Sequence, residues 1–209
     1  MGLAISTHVL AGLLGNDEQA AQSCRDRLAA LNRVLEKHGL PAHVESETAG
    51  PVTARDHVDS FPYSFLHYLR RAYAYVHDDC VDDLCPVGPA EDPTDDAVLE
   101  TATSAFASHL LCHSDAEGFY VPIAFTRVIA DDDLAGGLLG SSQSLLAELV
   151  AVAPAIGIEL TGATLSDEAA AALVAEDETG PYARERLVWL TLFEQARVSI
   201  ANNTLIEFG

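Results

Sequence analysis

The residues best placed to do chemistry lie in "SHLLCHSDAEGFYVP", residues 108–122. His109 and His113 are four apart, the spacing at which two imidazoles on one helical face can grip a single zinc or iron ion. Asp115 and Glu117 follow at once, each a candidate third ligand or an acceptor that orients a histidine. A divalent metal such as zinc, held by His109, His113, Asp115 and Glu117 with one position open, would suit a hydrolase or hydratase. Without a metal, His113, Asp115 and Glu117 remain candidate catalytic groups. A structural reading competes with both. His113 can close a helix C-terminus, Asp115 can form an Asx-turn, and Gly118 can supply a positive φ before a strand.

Other chemical signatures are incomplete. Cys112 lies about 100° round a helix from His113, so it does not share the histidine face. Tyr63 and His67 sit one helical turn apart beside Arg70 and Arg71, which suits either a pocket or a packed face. No HExxH, GxSxG, P-loop or EF-hand spacing occurs. "MGLAIS" matches a myristoylation pattern, but no basic patch follows it and the run also reads as a buried strand.

The elements that must position these residues are mostly helices. Asn16 or Asp17 caps a helix whose Leu28, Leu31 and Leu35 form a stripe, and Gly39 stops it. A second helix is expected from Ser60, with Pro62 in its first turn and Phe65, Leu66, Leu69, Tyr73 and Val76 on its apolar face. "DDAVLETATSAFASHLLCHS" predicts a third long helix, which is what would align His109 with His113. "SQSLLAELVAVAPAIGI" predicts a helix interrupted near Pro154, then "LSDEAAAALVAE" a short one capped by Ser166. "PYARERLVWLTLFEQARVSIANN" predicts a final apolar helix. Strands are expected at "GLAIS", "FYVPIAF" and "TLIEF", with a short edge strand at "PAHVESET", and "DDDLAGGLLGS" reads as an acidic, glycine-rich turn. The class is therefore α+β, mainly α-helical. Residues 1–209 form a single compact domain with a small sheet that includes the chain ends.

Charge is the outlying property. The chain has 32 acidic and 11 basic residues, a formal net charge of -21, and Lys37 is its only lysine. Residues 78–96 hold eight acids, three prolines and no basic residue, which predicts an exposed acidic surface loop, mobile and open to proteases. So acidic a surface repels phosphate backbones and anionic lipid, which argues against nucleic-acid and membrane binding and for electrostatic steering towards a basic protein partner. Four scattered cysteines and the lack of a basic leader fit a reduced, cytoplasmic protein. The oligomeric state is not legible.

The blocks "FPYSFLHYLRRAYA", "SHLLCHSDAEGFYVP" and "LVWLTLFEQARVSI" resemble a family of small uncharacterised prokaryotic proteins with an HSD-x-[DE]-G motif. Here the motif is His113-Ser114-Asp115-Ala116-Glu117-Gly118, with Ala116 where a cysteine often stands. The resemblance implies a shared fold and no established activity. A non-catalytic binding or immunity-type role is the leading expectation, with the metal-dependent hydrolase or hydratase as the alternative.

Overall fold

The computed structural model describes residues 2–88, 90–177 and 179–209. In chain order it contains β1 (Gly2–Thr7), α1 (Val9–Leu13), α2 (Glu18–Lys37), β2 (Ser60–Pro62), α3 (Tyr63–His77) and α4 (Ala97–Ser104). Then come β3 (Gly118–Val121), β4 (Ile129–Ala130), β5 (Leu138–Ser141), α5 (Ser142–Val152), α6 (Asp167–Val174), α7 (Ala183–Asn202) and β6 (Ile206–Phe208). The architecture is α+β, as the sequence pattern predicts.

The strands form one mixed sheet in the order β2-β1-β6-β3-β5-β4. Both chain ends are built into it: β6 pairs antiparallel with β1 on one side and with β3 on the other. Only β3 and β5 run parallel. Side-chain alternation divides the sheet between two cores. Phe119, Val121 and Leu139 face Leu31, Val34 and Leu35 of α2. Leu3, Ile5, Tyr120, Ile206 and Phe208 join the larger core formed with α3, α5 and α7. With both faces covered, all four residues of β3 are buried.

The centre of the larger core is α7, buried nearly all round, with Val188, Trp189, Leu190, Leu192, Phe193 and Ala196 among its interior residues. Trp189 stacks on Phe193, and its indole N–H donates to the Leu149 carbonyl of α5 at 2.7 Å. This partner removes the cost of burying the indole nitrogen. Caps behave as their chemistry requires: Asp17 accepts from Ala20 N at the start of α2, and Ser166 from Ala169 N at the start of α6.

Four expectations need correction. Ser60–Pro62 does not begin α3; it is the edge strand β2, drawn out by antiparallel pairing with β1. "PAHVESET" forms no strand. The Asn32 side-chain amide takes its backbone groups, accepting from His43 N at 2.7 Å and donating to His43 O at 2.9 Å. The glycine-rich run after Leu134 is only partly a turn, since Leu138–Ser141 is β5. Finally, the third helix stops at Ser104, and Phe106 has a φ of 48°.

Gly140 shows how closely β5 approaches β3. A Cβ placed there would overlap the Tyr120 ring. Gly140→Ala is expected to destabilise the protein by about 1–3 kcal/mol through overpacking, read as a lower urea midpoint at unchanged slope. An unchanged midpoint would show that β3 and β5 can separate freely.

Candidate functional site

Two charges, a buried arginine and a half-buried glutamate, shape the segment that carries the histidines. Arg70 of α3, 4% exposed, donates through Nε to Leu110 O at 2.8 Å and through Nη2 to His113 O at 2.6 Å, and Nη1 pairs with Asp115. Glu148 of α5 accepts from His109 N at 2.8 Å, Leu110 N at 2.6 Å and Ser108 Oγ at 3.0 Å. A cation thus collects the segment's carbonyls and an anion collects its N–H groups. Those backbone groups are then satisfied outside any helix, which is why the expected helix ends early. Burial raises the Glu148 carboxyl above its ordinary range, while its three donors favour the charged form.

The histidines therefore do not share a helical face. His109 Nδ1 accepts from Ser141 N at 2.9 Å, and its Nε2 faces the Phe125 and Thr126 backbone without a well-aligned hydrogen bond. His113 Nδ1 lies 3.1 Å from Ser114 O and Nε2 3.0 Å from Phe119 O, and its ring stacks on Tyr120 at 4.1 Å. Burial lowers both imidazoles to about 4. Asp115 is taken by Arg70, with His67 Nε2 at 3.4 Å from its other oxygen. Glu117 is exposed. The helical pair proposed as metal ligands is thus replaced by separate engagements, and no group of three His, Cys, Asp or Glu side chains among the described residues is disposed to hold a metal ion.

The turn itself differs in detail from its expected form. Ser114, not Asp115, lies nearest the turn N–H groups, with Oγ 3.4 Å from both Ala116 N and Glu117 N. Gly118 has a φ of 139°, and a Cβ there would press on His113 Cε1 at 2.9 Å. Both conditions favour glycine at this position.

Sequence reasoning missed Arg70 and Glu148 as organisers. Each carried a signal: Arg70 interrupts the apolar stripe of α3, and Glu148 is the only acid in α5. A buried charge in an otherwise apolar face requires a partner.

The acidic residues form the second feature. Between α3 and α4, Asp78, Asp79, Asp82, Asp83, Glu91, Asp92 and Asp95 are all exposed, and Glu100 of α4 is exposed beside them. The segment is nevertheless tied down. Arg71 Nε donates to Asp96 at 2.6 Å and its Nη1 to Cys85 O at 2.8 Å. Tyr75 Oη donates to Asp96 at 3.0 Å, and Tyr182 Oη to Leu84 O at 3.1 Å. Pro93 is buried, and Asp96 caps α4 through Val98 N and Leu99 N. The exposed acidic segment expected from the sequence is therefore held to the body of the protein at several points. None of the seven exposed acids pairs with arginine or lysine among the described residues; Asp78 meets only His77. No helix among the described residues is long and apolar enough to cross a membrane.

Comparison with known proteins adds one finding. A family model described as "Putative DNA-mimic protein" matches residues 1–208. No curated protein and no solved structure matches the chain. The family description corrects the partner expected from charge alone. That expectation named an unspecified basic protein and set nucleic acid aside; the description points instead to proteins that bind DNA, with nucleic acid as the thing imitated.

The buried imidazoles give a pH signature. Unfolded, a histidine takes its proton near pH 6.5; folded, His113 does so only at about 4. Stability present above pH 6.5 is therefore lost as pH falls towards 4, by about 1.4 kcal/mol per pH unit for each such histidine. His109 adds a contribution of the same sign, and Glu148, with its raised folded value, one of the opposite sign. Urea melts across that range should show His113→Gln reducing the slope by about one histidine's share. An identical slope in the variant would mean that His113 is already charged in the folded protein.

Proposed function

The chain belongs to the family described as "Putative DNA-mimic protein", and from that premise we propose that it is a non-catalytic binding protein that occupies the DNA site of a DNA-binding protein. The observation that carries this reading is the anchored acidic segment between α3 and α4, with Glu100 continuing it onto α4. Exposed carboxylates are anions at neutral pH and accept N–H donors as phosphate oxygens do. A protein surface built to neutralise phosphates will pair with them for the same electrostatic reason.

Anchoring matters as much as charge. A flexible acidic tail would lose conformational entropy on docking. Here Arg71, Tyr75, Tyr182 and the Asp96 cap already hold the segment in place, so less remains to be ordered. Self-repulsion among the acids is the cost, and the clamps on the flanking backbone offset it.

Competition against DNA tests the reading. A labelled duplex is bound to each of a panel of purified proteins: helix-turn-helix dimers, minor-groove architectural proteins and nucleases. Adding this protein is expected to release DNA from at least one class, with an apparent affinity that falls as salt rises. Asp79→Asn, Asp82→Asn, Asp83→Asn and Asp95→Asn combined should weaken release about tenfold, taking roughly 0.3–0.5 kcal/mol for each exposed charge. Retention of DNA by every panel member at excess protein would remove the proposal. Arg71→Ala tests the anchoring separately: proteolysis within residues 78–96 should quicken while the global unfolding midpoint changes little.

A further inference from the structure

Beside the acidic segment lies a cavity of about 490 Å³ between α3, α4 and the clamped histidine loop. Leu99 and Leu111 contribute buried apolar surface to it, and Thr94, Thr103 and Ser104 contribute hydroxyl-bearing side chains. Two lining residues are left without obvious structural employment. Phe106 is 42% exposed, one of the few large apolar side chains so placed. Its φ of 48° is uncommon for a bulky residue and carries a conformational cost. Glu100 is exposed and makes no ion pair among the described residues.

The electrostatic balance of the cavity favours a cation. Arg70 also lines it, but its charge is met by Asp115 and two carbonyls. His67 is half-buried, and its burial lowers the imidazole pKa, which disfavours its charged form. Glu100 then remains as the uncompensated lining charge, with exposed Asp92 nearby on the acidic segment.

We propose that this cavity is a socket for an arginine side chain of the partner, with the Phe106 ring taking the place of a base face and the Glu100 carboxylate that of a phosphate. The inference rests on the DNA-mimic reading and specifies its contact. A guanidinium stacks on aromatic faces and pairs with carboxylates through a planar fork of donors. DNA-binding proteins insert arginine into DNA grooves and stack it on bases. The protein itself displays an arginine over an aromatic ring elsewhere on its surface, where Arg184 lies 4.7 Å from the Tyr68 ring centroid. A lysine ammonium would meet the charge but lacks the planar fork and makes the weaker stack.

The probe is N-acetyl-arginine amide, followed by backbone amide shifts in the full-length protein. Shifts are expected to concentrate in residues 94–115 and to saturate. N-acetyl-lysine amide should bind several-fold more weakly. Phe106→Leu keeps apolar bulk but removes the π face, and should weaken the arginine probe about three- to fivefold, the scale of an exposed cation–π contact. Glu100→Gln should act in the same direction, whereas Asp132→Asn, beyond β4, should not. Shifts scattered over all acidic surfaces and indifferent to both cavity variants would overturn the socket. The DNA-competition assay keeps the two readings apart. Competition that survives with no localised arginine binding removes the socket alone. Localised binding without competition supports the socket and removes the mimic reading.

Discussion

The opposed clamp of Arg70 and Glu148 is the interaction on which the rest depends. One guanidinium takes the carbonyls of Leu110 and His113, and one carboxylate takes the N–H groups of His109 and Leu110. Removing either charge would strand two backbone groups, at roughly 1–3 kcal/mol each where they stay shielded from water. The clamp joins α3 to α5 through a segment with no regular structure of its own.

That arrangement explains the two buried imidazoles. His113 fills the space under Gly118 and stacks on Tyr120, while His109 Nδ1 receives the Ser141 N–H at the start of α5. Both occupy places where a ring with polar edges can satisfy backbone groups inside an apolar layer. The segment richest in chemical residue types is thus held by structural contacts, and the exposed character of the molecule is set elsewhere.

The acid surplus has two fates. Some carboxylates work inside the fold: Glu194 accepts from Arg55 and Arg197, Asp96 caps α4 and holds Arg71, and Asp131 meets Lys37. Others face solvent with no arginine or lysine counterpart among the described residues: the seven on the anchored segment between α3 and α4, and also Glu18, Glu36, Asp132, Glu159 and Glu168 elsewhere on the surface. The few basic residues are largely spent on the first group. The segment between α3 and α4 carries seven of these exposed acids close together in sequence, and Tyr182 of the segment entering α7 ties it to the central helix.

The sequence by itself determined the composition of the layers. An apolar stripe and a capping residue marked α2, Ser166 marked the start of α6, long apolar runs marked α5 and α7, and β-branched and aromatic residues marked β1, β3 and β6. These are local signals, carried by neighbours along the chain. What only the tertiary structure decided was the fate of backbone groups claimed from a distance. Asn32 replaced a strand at His43, β1 drew Ser60–Pro62 into the sheet, and Arg70 with Glu148 unmade the helix expected to align His109 with His113. In each case a partner remote in sequence met hydrogen-bonding groups that local propensity had assigned to a neighbour, and propensities of a few tenths of a kcal/mol per residue yield to that.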